Sequence, residues 1–161
     1  MNQKLVAWHN MVVKPEDHVY FLGDVTIRRG GRQEKEEFKQ LVRSMHGHKT
    51  LFLGNHDHWP TQVYLEAGFE KVRATWRDQD GILYSHIPVH PSSMGTAVAN
   101  VHGHIHNNQS GAFPPVLSKD LHGKLVWKPY VNVSVEVINY RPISLEDLKD
   151  KIKKETPEIG E

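Results

Sequence analysis

Four short apolar runs lie along the first two thirds of the chain, and each has the composition of a buried β-strand. They cover residues 19–22, 50–53, 82–84 and 97–101 and are rich in β-branched and aromatic side chains. Residues 34–45, between the first two runs, place apolar side chains at helical spacing and are followed by Gly47. Buried strands with an intervening amphipathic helix indicate the α/β fold class.

Further helices are predicted from apolar spacing and from the residues that begin or end a helix. Residues 2–13 form a helix that Pro15 stops, with Leu5, Trp8 and Val12 on one face. A short helix follows Pro60 and ends near Gly68. Ser144 and Asp147 make a capping-box pattern ahead of a last helix.

Two further strand features are predicted in the second half of the chain. Residues 71–76 and 82–85 flank Asp80-Gly81, which is a hairpin turn signal. Residues 131–137 alternate valine with polar side chains, as in a half-buried strand.

Polar residues follow directly after each of the four apolar runs. In chain order they are Asp24, then Asn55, His56 and Asp57, then His86, and finally His102, His104 and His106. The carboxyl ends of strands in an open α/β sheet face the crevice where ligands bind. Carboxylate, amide and imidazole groups delivered to one edge therefore predict a metal centre.

Composition narrows the class of protein. The 161 residues suit one domain, 1–161, in which we expect residues 155–161 to be a frayed tail. Zero cysteines exclude disulfides and thiolate metal sites, and their absence fits a cytoplasmic protein. The net charge of +1 does not favour nucleic acid, and no apolar stretch is long enough for a membrane span.

The ordered motifs resemble those of the calcineurin-like metallophosphoesterase family. The matching segments are Gly23-Asp24, Gly54-Asn55-His56-Asp57, His86 and Gly103-His104-Ile105-His106. The region from Asn132 to the last helix is also similar to small bacterial and phage members, so the resemblance covers nearly the whole chain. It implies an α/β/β/α sandwich of two mixed sheets with helices outside.

The resemblance also implies a role for each site residue. Asp24 would bridge two divalent metal ions, His106 would serve the first ion, and the second would be completed by Asn55, His86 and His104. Two such ions clamp the attacking and leaving oxygens and acidify a bound water. The metals implied are manganese first, with iron, zinc or nickel as alternatives.

Two residues of the same loop would act on the substrate without binding metal. His56 would be the general acid at the leaving oxygen, and Asp57 would orient its ring.

One element of the family pattern is missing from the given sequence. Members normally begin with a strand ending in Asp-x-His, whereas residues 1–8 resemble the interior of the family's first helix. We therefore expect the fold to lack its first strand and Met1 to be an internal methionine. The first metal would keep only Asp24 and His106 and be weakly held. Unpaired strand edges would favour a homodimer.

The expected activity is hydrolysis of a small phosphomonoester or phosphodiester such as a nucleotide. A nuclease and a non-catalytic metal-binding scaffold remain as alternatives. Of the other histidines, His58, His90 and His102 flank the predicted site and either touch substrate or fill space. The loop arginines Arg28, Arg29 and Arg32 are interpreted as solvated surface and left out of the site.

Overall fold

The computed structural model describes residues 2–27, 29–108, 113–120 and 122–157. Its helices are α1 (Asn2–Val12), α2 (Arg32–Arg43), α3 (Thr61–Ala67) and α4 (Leu145–Glu155). Its first six strands are β1 (His18–Phe21), β2 (His48–Phe52), β3 (Phe69–Arg73), β4 (Thr75–Arg77), β5 (Ile82–Ser85) and β6 (Ala99–His102). The strands β7 (Val116–Lys119), β8 (Leu125–Lys128) and β9 (Tyr130–Asn132) follow.

The first sheet has the order β1-β2-β3, and its strands are parallel. Leu51 and Phe69 on this sheet form a buried core with Phe38 and Val42 of α2 and Tyr64 of α3. Each such side chain contributes about 1.5–3 kcal/mol by leaving water. This packing fixes β1 and β2, whose C-terminal ends carry the first half of the site.

The second sheet is mixed and has the order β4-β5-β6-β9, in which β4 is antiparallel and the other neighbours are parallel. Its Tyr84 meets Tyr20 of the first sheet, with ring centroids 4.9 Å apart. Phe52 of β2, Tyr84 and Leu148 of α4 belong to one buried core between the two sheets. The two sheets therefore face each other, and the predicted α/β class is confirmed.

The four predicted helices are confirmed, but α1 buries a different side chain from the one predicted. Gly68 ends α3 in the left-handed region at φ 106°, and the Ser144 hydroxyl accepts the Asp147 N–H at 3.0 Å. In α1, however, His9 is only 3% exposed, whereas Val12 is 47% exposed. His9 packs inward because its ring N–H donates to the His46 carbonyl at 3.0 Å. Of the predicted apolar face, Leu5 and Trp8 are half-buried, and only Val12 lies exposed.

The predicted strand 71–76 is in fact two strands. The chain leaves the first sheet at Arg73 and enters the second at Thr75. The hairpin turn around Asp80-Gly81 then joins β4 to β5 and is confirmed.

The alternating segment 131–137 is a strand only as far as Asn132. The Asn132 side-chain oxygen accepts the Ser134 backbone N–H at 2.9 Å, and residues 135–140 continue as turns. A local side-chain bond thus overrides the alternation of valines. The β7-β8 hairpin was not predicted from the sequence. The frayed tail predicted for residues 155–161 lies largely in residues 158–161, outside the described part of the chain. Among the described residues, no helix combines the length and apolarity needed to cross a bilayer.

Candidate metal centre

The first half of the site is built from the two loops that follow β1 and β2. Asp24 has φ 53°, in the left-handed region that non-glycine residues rarely adopt. A Cβ on Gly54 would lie 2.2 Å from the Asp24 carboxylate, and one on Gly23 would lie 2.4 Å from the His86 ring. Glycines at both positions therefore allow the loops to approach the site closely.

Three predicted ligands converge on a ring nitrogen of the fourth, His86. The Nε2 atom of His86 lies 2.9 Å from Asn55 Oδ1 and 3.1 Å from His104 Nδ1. It also lies 3.3 Å from Asp24 Oδ2. Potential ligand atoms of Asp24, His86 and His104 all fall within 4.8 Å of one another. The set expected at the second metal is therefore brought together.

The hydrogen bond on the far side of the His86 ring sets which nitrogen carries a proton. Nδ1 lies 2.7 Å from the Leu22 carbonyl oxygen, which can only accept, so Nδ1–H is the donor. Nε2 then presents a lone pair to the oxygens of Asp24 and Asn55. Converging lone pairs of oxygen and imidazole suit a divalent cation, so the residues fit the predicted metal.

Asp57 connects the two loops rather than contacting the ring of His56. Its carboxylate accepts the backbone N–H groups of Asp24 and Gly54, both at 2.8 Å, and of Val25 at 3.1 Å. Burial raises the pKa of this carboxyl, and the bonds from Gly54 and Asp24 partly oppose the rise. Hydrogen bonds of the described residues include none between Asp57 and the His56 ring. This geometry favours a positioning role for Asp57.

His56 is held by its backbone and leaves its ring exposed. The His56 N–H donates to Asp24 Oδ1 at 2.8 Å, which ties the loop to the proposed ligand. Its ring lies 6.3 Å from that of His58, between centroids. The general-acid role of His56 stays a prediction.

Arg29, which the sequence pattern indicated to be solvated surface, lies against this loop. Its guanidinium donates to His58 Nε2 at 2.9 Å. No spacing rule predicts this contact, because it joins two exposed loops. The other two flanking histidines make structural contacts. His102 is 1% exposed, and the His90 ring accepts the Ser92 N–H.

His106 is not drawn into the cluster. Its Nδ1 lies 2.9 Å from Glu136 Oε1, and its side chain is 69% exposed. The other oxygen of Glu136 is buried and has no hydrogen-bond partner. Burial would raise the pKa of Glu136, but bonds from its own N–H and from His106 hold it below its usual value. A firm role for His106 at the first metal is therefore still a prediction.

Comparison with known protein families identifies the family of the chain. A model described as calcineurin-like phosphoesterase matches residues 2–155. The chain belongs to the calcineurin-like phosphoesterase family. The protein MJ1445 of Methanocaldococcus jannaschii, described as uncharacterized, is 29% identical over 154 residues, or 96% of this chain and 76% of that protein. The crystal structure of AQ665, a protein of unknown function from Aquifex aeolicus, has a TM-score of 0.62 at 25% identity, covering 94% of this chain and 84% of AQ665.

Family membership indicates which kind of ion and which reaction class the Asp24 cluster suits. The family hydrolyses phosphoesters with divalent metals, and Asp24, His86 and His104 form a possible ligand group for such an ion. The metallophosphoesterase-type fold predicted from the motifs is confirmed.

Proposed function

We propose that this protein hydrolyses a small phosphoester and holds one metal ion firmly among Asp24, Asn55, His86 and His104. The convergence of these groups on His86 Nε2 supports the proposal. His106 would serve a second, more weakly bound ion that Asp24 bridges. Manganese is the first candidate for both ions, with iron, zinc and nickel as alternatives.

The residues around the cluster would each handle a different part of the reaction. A divalent ion, when bound, supplies positive charge for the phosphoryl oxygens and acidifies a water molecule. The water oxygen forms a new bond to phosphorus, and the bond from phosphorus to the ester oxygen breaks. His56, exposed at the mouth of the site, would give its proton to that departing oxygen. Asp57 would keep the Asp24 and Asn55 loops in place.

The proposed substrate is a compact monoester or diester such as a nucleotide. The Arg29 guanidinium reaches the His56–His58 loop, where it would contact a phosphate oxygen by a charge-assisted hydrogen bond. An extended nucleic acid is a less suitable substrate, because a net charge of +1 provides little long-range attraction.

The test measures hydrolysis of a nitrophenyl phosphomonoester and a bis-nitrophenyl phosphodiester with manganese, zinc, nickel or ferrous iron. His56→Ala should keep the metal and lower kcat by about 10²–10⁴-fold. Asp24→Ala should lose both metal and activity. His122→Ala, which alters an exposed histidine in the turn before β8, is the matched control and should change neither. Release of metal by His56→Ala would contradict the division of roles.

A metal-bound scaffold without turnover is the second candidate. The observation that favours it is the pairing of His106 with Glu136, away from the Asp24 cluster. Tight metal binding without hydrolysis of either nitrophenyl substrate would support the scaffold. Hydrolysis that Asp24→Ala abolishes would exclude it.

A further inference from the structure

A second cleft lies between the two sheets, lined by residues other than the proposed metal ligands. It encloses about 90 Å³ and is lined by His18, Tyr20, Thr50, Lys71, Arg73 and Trp76. This volume has room for a few water molecules. A single small polyatomic ion fits this space better than a whole nucleotide does.

The register of the first sheet explains why these side chains meet. Tyr20 pairs with Thr50, and Thr50 pairs with Lys71, so the three lie side by side across β1, β2 and β3. Neighbouring strands are about 4.8 Å apart, and residues two apart share a face. Arg73 therefore stands next to Lys71 along β3, on the same face of the sheet.

The two cations in the cleft have no acidic partner. Within the described ranges, no carboxylate lies at ion-pair distance from Lys71 or Arg73. The Arg73 guanidinium lies 4.4 Å from the centre of the Trp76 ring, a cation–π arrangement that leaves its N–H edge free for an anion. Two neighbouring cations without an ion-pair partner repel each other, and a bound anion would relieve that repulsion.

The acidic residue next to Lys71 in the sequence is hydrogen-bonded to another side chain. Glu70 precedes Lys71 and accepts a hydrogen bond from the His48 ring at 2.5 Å. The bond from His48 holds the pKa of Glu70 below its usual value, and the charges of His18 and Lys71 add to this. Glu70 therefore stays ionised, but its carboxylate is directed to His48. The Lys71 ammonium group remains available to bind an anion.

We propose that this cleft binds a small oxyanion, either a phosphate or a carboxylate group, between Lys71 and Arg73. The site is independent of the proposed metal centre, because none of its lining residues belongs to the Asp24 cluster.

The experiment follows the indole N–H signals of the full chain by NMR while inorganic phosphate is added. Trp76→Phe assigns the Trp76 signal among those of the four tryptophans. We expect that signal to shift and saturate. Lys71→Gln and Arg73→Gln should each weaken binding by about tenfold, which corresponds to the loss of one hydrogen bond to a charged group. Arg73→Lys, which keeps the charge, should retain most of the affinity.

Two matched variants separate this cleft from other phosphate sites. Lys124→Gln removes an exposed lysine just before β8 and should leave binding unchanged. His86→Ala should also leave the Trp76 shift unchanged, since that variant affects only the metal centre. A parallel titration with acetate distinguishes a carboxylate site from a phosphate site by which anion saturates at lower concentration.

Several results would overturn the proposal. A Trp76 signal that does not respond to either anion excludes the site. Equal binding in Lys71→Gln and the unaltered chain excludes the assigned cations, as does loss of the shift in His86→Ala. Backbone amide signals outside the cleft report whether each variant is folded, and Arg73→Lys tests the assignment should either glutamine variant unfold.

Discussion

The two histidines of the Gly103-His104-Ile105-His106 segment lie two residues apart but have different surroundings. His104 places its Nδ1 3.1 Å from His86 Nε2 and joins the ligand cluster. His106 directs its Nδ1 to Glu136, 2.9 Å away. Both have left-handed backbone conformations, with φ 66° and 51°. The difference teaches that a motif places residues in a loop, while partners from other strands decide which of them converge.

The partners of His104 are held from several directions. The Asp24 and Gly54 loops are joined by Asp57, and the His86 ring is fixed by the Leu22 carbonyl. Within the described part of the chain, the hydrogen-bond partners of His106 come from residues 132–136: Asn132 donates to its carbonyl, and Glu136 accepts from its ring. We therefore expect the two halves of the motif to respond differently to mutation.

The largest effect is expected from Asp57→Ala. This change removes a carboxylate that is 9% exposed and leaves partly buried backbone N–H groups of both loops without that acceptor. It should lower the free energy of unfolding by about 3 kcal/mol, the summed cost of several lost hydrogen bonds to a charged group. Denaturant titration measures this, and metal binding should fall with it.

Asp120→Ala is the matched control for Asp57→Ala. Asp120 also accepts two backbone N–H groups, from His122 at 2.8 Å and Lys124 at 3.0 Å, but in an exposed loop. Water can replace those bonds, so the midpoint of unfolding should change little. Equal losses of unfolding free energy in the two variants would show that the burial of Asp57 does not determine its contribution to stability.

The second prediction compares His86→Ala with His106→Ala. Losing His86 removes the group on which the other three ligands converge, and affinity for the tight ion should fall by about a hundredfold, or about 2.7 kcal/mol. His106→Ala should leave that affinity unchanged. Calorimetric titration with manganese distinguishes the two variants. Equal losses would mean that His106 moves into the cluster when metal binds.

Much of this site follows from the sequence because each ligand comes directly after a buried strand. Asp24, Asn55 and His86 are placed by strands whose apolar runs are unmistakable, and parallel strands bring their ends to one edge. The partners of Asp57 could not be predicted, since backbone N–H groups carry no sequence signal. The contact between Arg29 and His58 was missed for a similar reason: it depends on how two loops meet.

The fold shows the same division between strong local patterns and tertiary contacts. The capping residue Ser144 predicts the start of α4 because a helix end needs only local bonds. The alternating valines after Val131 failed as a strand prediction, because Asn132 bonds to Ser134 and turns the chain. Periodicity alone does not reveal that β9 ends there.

The third prediction concerns the close approach of the two loops. In Gly54→Ala the new methyl group would meet the Asp24 carboxylate at 2.2 Å, so one of the loops must move. Overpacking of this kind costs about 2 kcal/mol, and the displaced Asp24 should also weaken metal binding. Thermal unfolding and metal titration report the two effects separately.

Gly31→Ala is the control for this steric argument. A Cβ at Gly31 would meet nothing within 4 Å, and its φ of −77° suits any residue. Metal affinity should stay as it is, and stability should fall by at most about 1 kcal/mol, because Gly31 is the N-cap of α2 and Ala is less favourable there. A stable Gly54→Ala protein with full metal affinity would show that the loops have more room than the structure indicates.

The smallest effect is expected from Glu136→Gln, which changes the partner of His106 and leaves the cluster untouched. The firmly held ion should bind as before, because neither residue contacts Asn55, His86 or His104. A carboxylate that orients a ligating histidine is worth about 10–100-fold in metal affinity, so any second ion at His106 should weaken by about tenfold. Manganese titration followed over both binding steps measures this. A change in the first step instead of the second would mean that Glu136 supports the tight site, and the contrast between His104 and His106 would then have to be abandoned.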